Sequence, residues 1–308
     1  MGVFLLILFR VLFFLVLIFF SSCSLQKREK NLIGILFYQP LLKDKIDWDK
    51  SFQKMSDCKI DKLILQWSRF GVVDFIKDDK WLTPILQNAQ KYNIKVVIGL
   101  YGDDRYFKIL EDRKTDIKKY LNSLKRINIA QAKKIYAIAR NYSSFNGWYI
   151  YDEIDDTNFI EPNRQIYLKE YLQSITDKLD SISLKPIYIS GYFSNHMTPK
   201  EYVKMFVSIT PQKYILLVQS GIGANLVNYK NSIRYMKEFD KSFKREFIPI
   251  VEGFKFENSK AVAIDFKSLQ RQIKLLQDSS KIKRVALFSF RYFFTKELSK
   301  NYCNNYID

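Results

Sequence analysis

The sequence predicts a single-domain α/β fold, a (β/α)8 or TIM barrel, and three observations carry that expectation. Eight apolar runs rich in Val, Ile, Leu, Tyr and Phe end near Tyr38, Gln66, Leu100, Glu153, Tyr192, Gln219, Glu252 and Phe290. Successive ends lie 27 to 53 residues apart, each interval long enough for a loop, a helix and a return to the next parallel strand. The fourth and seventh runs, Trp148-Tyr149-Ile150-Tyr151-Asp152-Glu153 and Phe247-Ile248-Pro249-Ile250-Val251-Glu252, both close on a glutamate.

The runs lack strict polar alternation, the pattern of strands buried on both faces, as parallel strands are. Between them lie helical signals. Asp47 is placed as an N-cap, and Trp48, Phe52 and Met55 recur at i, i+4 and i+7 behind it. The stretch of about 115–140 has no strand character and is long enough for one helix or two. Thr198-Pro199-Lys200-Glu201 spells a capping box with proline at the first helical position, and Asp265 opens a further helix. Alternating β and α units form either an open, doubly wound sheet or a closed barrel, and eight units favour closure.

The segment before the first run points to export. Residues 3–20 are apolar apart from Arg10, and the stretch ends in Phe20-Ser21-Ser22 ahead of Cys23. That order predicts a signal peptide over 1–22 whose lipobox cysteine, Cys23, is lipidated, with 23–31 as a tether and 32–308 as the barrel. An uncleaved anchor or a later start of translation are the alternatives. Either way the chain is expected at the cell envelope, on its periplasmic or outer face, held to a membrane through its amino terminus. Cys58 ends the first helix and Cys303 lies in a final one after run eight; a closed barrel makes these helices neighbours, so a Cys58–Cys303 disulfide is expected. It would close a loop of 245 residues, worth about 5 kcal/mol in the chain-entropy view.

Several function classes drop out. No Gly-x-Gly-x-x-Gly turn follows the first run, where Phe37-Tyr38-Gln39-Pro40 stands, and neither a Walker A sequence nor a Gly-x-Ser-x-Gly elbow occurs. A single histidine leaves no basis for multi-histidine metal sites. No cofactor and no metal are therefore expected; the Asp-Glu-Ile-Asp-Asp order at 152–156 lacks EF-hand spacing. The net charge of +18 is spread along the whole chain. It marks no nucleic-acid motif, and the chain is expected to be a monomer with a carbohydrate partner and no nucleic-acid partner.

Carboxylates remain as catalysts. Glutamates at the ends of strands four and seven would face one another across a barrel mouth, and cleaving a glycosidic bond with retention needs two carboxyl groups about 5–5.5 Å apart. Alternation puts Tyr149, Tyr151 and Glu153 on one face of run four and Trp148, Ile150 and Asp152 on the other. With the odd face inward, Glu153 is the acid. A salt bridge from Glu252 to Lys255 or Arg291 would instead make it structural, and an inverting pair of Glu153 with Asp155 or Glu257 would stand about 6.5–9.5 Å apart. Gln39, Gln66, Trp67, Tyr101, Tyr192, Asn195, His196 and Gln219, at or just past strand ends, have the amide and aromatic chemistry that binds sugars.

Gln39-Pro40, Asp47-Trp48, Gln66-Trp67 and above all Gly147-Trp148-Tyr149-Ile150-Tyr151-Asp152-Glu153-Ile154-Asp155 resemble the DUF4434 family, secreted bacterial barrels regarded as candidate glycoside hydrolases. The glutamates after strands four and seven are also similar to those of retaining barrel glycosidases. That resemblance implies Glu153 as acid/base and Glu252 as nucleophile in hydrolysis of a β-linked glycan. Those enzymes usually carry Asn before the first glutamate. Asp152 stands there instead, where it would join the substrate-binding set and raise the pKa of Glu153 by charge repulsion. The rival expectation is a non-catalytic glycan-binding or envelope-assembly lipoprotein.

Overall fold

The structure is a computed structural model that describes residues 33–277, 282 and 284–306. The expected signal peptide, the lipidation site Cys23 and the tether lie outside the described residues. Eight parallel strands close into a barrel: β1 (Ile33–Tyr38), β2 (Lys62–Leu65), β3 (Lys95–Gly99), β4 (Phe145–Asp155), β5 (Ile187–Tyr192), β6 (Tyr214–Gln219), β7 (Phe247–Glu252) and β8 (Val285–Phe288). Each pairs with the next in sequence, and β1 pairs with β8 to close the ring. The strand ends fall within two residues of the expected ones.

Side-chain alternation splits the apolar residues into two cores. The interior holds Ile35, Phe37, Ile64, Val97, Tyr149, Tyr188, Leu217, Ile248, Ile250 and Ala286. The layer between strands and helices holds their neighbours, among them Leu36, Leu63, Val96, Trp148, Ile150 and Val251. Both faces of each strand are thus apolar, which is why the runs show no polar alternation.

The helices are α1 (Trp48–Asp57), α2 (Leu82–Lys91), α3 (Tyr106–Glu111), α4 (Ile117–Ala139), α5 (Pro162–Ile182), α6 (Pro199–Ile209), α7 (Tyr229–Ser242), α8 (Phe266–Gln277), α9 (Phe290–Phe293) and α10 (Lys296–Tyr306). Asp47 caps α1 by accepting from the Lys50 backbone N–H, and Thr198 with Glu201 forms the capping box of α6. The stretch 115–140 is one helix, α4, capped by Asp116. Cys58 follows α1 and Cys303 sits in α10, and the two form the expected disulfide with Cα atoms 4.9 Å apart. On the same seam the Tyr302 hydroxyl accepts from the Ile33 backbone N–H at 3.0 Å.

Two small sheets decorate the mouth: Arg69–Phe70 with Val73–Asp74 and Tyr101–Gly102, and a hairpin of Phe254–Glu257 with Lys260–Ala263. One irregularity bears on the site. Ile150 of β4 pairs with Ile189 of β5, yet Ile154 pairs with Gly191. Tyr151, Asp152 and Glu153 therefore lie opposite Ser190 alone, a bulge of two extra residues on β4.

Candidate active site

Toward the carboxyl ends of the strands the interior changes from apolar to polar. Two residues beyond the inward-facing Ile64, Tyr149, Tyr188, Leu217 and Ile250 stand Gln66, Tyr151, Ser190, Gln219 and Glu252, on the same face by alternation. The bulge adds Glu153 to this ring.

Glu153 is half-buried. Its Oε1 accepts from Ser190 Oγ at 3.3 Å, and the Gln219 side chain also hydrogen-bonds it. The Tyr149 hydroxyl lies 2.7 Å from Ser190 Oγ, extending the chain inward. Burial pushes the Glu153 carboxyl up to about 7; the bonds from Gln219 and Ser190 pull it back, while the charges of Asp155 and Glu252 raise it. Glu252 is thus close enough for its charge to act on Glu153. The carboxylates that act most on Glu153 are these two and not Asp152, contrary to the sequence expectation.

Glu252 is 2% exposed. Its Oε2 accepts from the Gly223 backbone N–H at 2.5 Å and from Ser220 Oγ at 3.1 Å, and the backbone N–H groups of Gly221 and Ala224 contribute as well. Burial raises its pKa and these donors oppose the rise, because each favours the ionised form. Its backbone is fixed by Gln272 of α8, which accepts from the Glu252 N–H at 3.1 Å and donates to its carbonyl at 2.9 Å. Neither expected salt-bridge partner reaches it: Lys255 pairs with Glu257 at 2.7 Å, and Arg291 with Asp44 at 3.7 Å. The charge is held by neutral dipoles.

The other acids of β4 diverge. Asp152, expected among the substrate-binding residues, is fully buried and turned from the mouth into the helix layer. There its Oδ2 accepts from the Tyr171 hydroxyl of α5 and from Asn128 Nδ2 of α4 at 3.4 Å, because residues 149, 151 and 153 occupy the inward face. Asp155 caps the following turn, accepting from the backbone N–H groups of Thr157 and Asn158 at 2.8 and 2.5 Å, and so is already engaged rather than poised as a second catalytic carboxylate. Asp156 clamps the loop after β5 by accepting from Ser194 N and Oγ, His196 N and Met197 N. Glu257 lies in the exposed rim hairpin.

The remaining expected residues fall into two groups. Gln219 joins Glu153 directly, and Tyr192 hydrogen-bonds Asp155. Gln66 is buried, and its Oε1 has no hydrogen-bond partner among the described residues. His196 is exposed on the loop after β5, its Nδ1 2.8 Å from Ser194 Oγ and 3.0 Å from Thr157 Oγ1; Asn195 beside it is exposed, with φ of 67°. By contrast, Trp67 is a packing residue: 6% exposed, it donates to the Pro40 carbonyl and stacks on Phe70 with ring centroids 4.4 Å apart. The half-buried ring surface there belongs to Phe70 and Tyr151, at right angles to one another. Tyr101 is 6% exposed beneath the Arg69 guanidinium, and Gln39 offers its carbonyl to Arg291. Sequence reasoning missed Ser190 and the donor loop 220–224. The alternation Tyr188, Ser190, Tyr192 would have found the first; nothing local signals the second.

A closed eight-stranded parallel barrel with helices between its strands is a (β/α)8 barrel, here with carboxylates and amides gathered at the carboxyl ends of the strands. Solved structures share the fold. A candidate alpha-L-fucosidase from Bacteroides thetaiotaomicron matches with a TM-score of 0.70 at 16% identity, over 91% of this chain and 96% of that one. The PgaB (BpsB) glycoside hydrolase domain from Bordetella bronchiseptica matches with a TM-score of 0.56 at 11% identity, over 89% and 98%. By sequence the chain belongs to the DUF4434 family, described as a domain of unknown function, which it matches over residues 37–299. A relative in Escherichia coli (strain K12), the uncharacterized protein YbcH, is 27% identical over 209 residues, 66% of this chain and 69% of that one.

Proposed function

We propose that this chain is a retaining glycoside hydrolase acting on a β-linked glycan at the cell envelope, anchored there through a lipidated Cys23. The observation that supports it is the asymmetry of the two strand-end glutamates. Burial raises both carboxyl groups, Glu153 to about 7, but four donors favour the Glu252 anion against two for that of Glu153. Acid and nucleophile require paired carboxyl groups in such unequal settings.

In the first step Glu153 gives its proton to the glycosidic oxygen as a Glu252 oxygen attacks the anomeric carbon. The bond to the leaving group breaks, and the sugar remains as an ester of Glu252. Glu153, now ionised, takes a proton from water as that water attacks the same carbon, which releases the sugar and restores both groups. Gln219 and Ser190 orient Glu153 throughout; Gln66, Tyr192, Asn195, His196 and the Phe70–Tyr151 rings supply sugar contacts. Because Gly223 lies against Glu252, substrate entry must displace the 220–224 loop.

That enclosure favours a second reading, in which Glu252 anchors the loop and the barrel binds glycan without cleaving it. The test is a panel of aryl β-glycosides with mass spectrometry after 2-deoxy-2-fluoro glycoside inactivators. Turnover by the full chain, loss in both Glu153→Gln and Glu252→Gln, and a glycosyl adduct on Glu252 uphold the hydrolase. Glycan binding with neither turnover nor adduct makes the protein a binder.

A further inference from the structure

Behind the candidate acid, on the face turned from the mouth, β4 is tied to helices on both sides at three successive residues, two in the bulge and one just past it. Asp152 accepts from Tyr171 of α5 and Asn128 of α4; the Glu153 carbonyl accepts from the Tyr106 hydroxyl of α3 at 3.0 Å; the Ile154 carbonyl accepts from the Tyr202 hydroxyl of α6 at 3.3 Å. Asn128 is the hub, for its Nδ2 also donates to Tyr171 Oη at 3.1 Å and its Oδ1 accepts from the Tyr101 backbone N–H at 2.9 Å. The mouth ends of β3 and β4 thus share one buried knot with α4 and α5. A bulge lacks the regular ladder that fixes side-chain direction. Of these three ties, that of Asp152 alone is made by a side chain, and it precedes Glu153 by one residue.

We propose that Asp152 is a positioning residue: by anchoring the bulge to Tyr171 and Asn128, it sets the direction in which Glu153 presents its carboxyl group to Ser190, Gln219 and the mouth. This rests on the hydrolytic reading only in what Glu153 is for. Substitution by Asn keeps an oxygen to accept from both donors, whereas Leu keeps the volume and removes the acceptor; Tyr171 and Asn128 can still bond each other. Asp152 has one further oxygen, Oδ1, with no partner among the described residues, where the Asn amide would sit.

Asp155, Glu252 and the hydroxyls of Tyr149, Tyr151 and Tyr192 act with Glu153, and Asp103 with the hydroxyls of Tyr106, Tyr120, Tyr171 and Tyr214 act with Asp152. The experiment is an infrared titration of the full chain carrying 13C-glutamate, with the Glu153 band assigned by its loss in Glu153→Gln. In the wild type and in Asp152→Asn its midpoint should lie near 7. In Asp152→Leu it should fall toward that of a free glutamate, with Tyr171→Phe moving it the same way, and Tyr171→Phe decides the matter if the Leu variant does not fold. Where methylumbelliferyl β-glycosides are turned over, Asp152→Leu should lower kcat on the order of 100-fold with KM little changed. A Glu153 midpoint unmoved in variants that remain folded, or moved equally by Asn, overturns the proposal. A midpoint that moves as expected in a protein that turns over no glycoside upholds it and removes the hydrolytic reading.

Discussion

The Gly223 backbone N–H donates to Glu252 Oε2, and a Cβ at position 223 would lie 2.8 Å from Glu252 Cβ and 2.3 Å from the Phe254 carbonyl oxygen. One residue without a side chain lets the loop after β6 cover the glutamate that ends β7. The loop and the rim hairpin therefore share the same space.

Gly223→Ala forces a methyl group against backbone, since the nearest atom is a carbonyl oxygen and not the end of a flexible side chain. It should destabilise the protein by about 1–3 kcal/mol, measured by urea unfolding. It should also raise hydrogen exchange at residues 220–226, where the loop lifts from Glu252.

The pH dependence of stability follows from Asp152 and Glu153, both raised to about 7 by burial. Each native carboxyl holds a proton that the unfolded chain releases near pH 4. Their contribution is complete below that pH and is lost as pH rises through 7. Asp152 is fully buried, so Asp152→Asn should flatten the decline between pH 5 and 8 by about 2 kcal/mol; Glu153→Gln, at a less deeply buried residue, should flatten it less. Urea unfolding across that range is the measurement.

If Glu153 is the acid, turnover should fall as pH rises through about 7, because the proton to be donated is then gone. A pH–rate profile whose alkaline limb lies well above that range would remove Glu153 from the role.

Asp156 accepts four hydrogen bonds from Ser194, His196 and Met197. Asp156→Ala leaves those donors unmatched, three of them backbone N–H groups, at a cost of about 2–4 kcal/mol. Residues 194–197 should exchange faster while β4 and β5 stay protected, and any glycan affinity that depends on His196 should weaken.

Reduction of the Cys58–Cys303 bond should lower stability by up to about 5 kcal/mol, since it restores the freedom of a 245-residue loop to the unfolded chain. Melting with and without reductant, against Cys303→Ser as control, measures it.

The strands were legible because burial on both faces writes itself into continuous apolar runs. The caps at Asp47 and Thr198 were legible because they are local. Alternation also put Glu153 inward with Tyr149 and Tyr151. What stayed hidden depends on distance in sequence: the partner of Asp152 is Tyr171 on the next helix, and the donors to Glu252 come from a loop some thirty residues upstream. Trp67 shows the converse. An aromatic residue just past a strand end has the pattern of a sugar platform, yet a single bond to the Pro40 carbonyl and a stack on Phe70 turn it into packing.

The ring closes through its first and last strands, with Ile33 paired to Val285 and a hydroxyl from Tyr302 on its backbone. Synthesis therefore produces seven of the eight staves before the barrel can close, and until then β1 and β7 each present an open edge. Open parallel edges invite pairing with other chains. A chain cut before Val285 should yield aggregates rather than a smaller barrel, and the segment from Val285 to Tyr302 acts as the latch of the barrel.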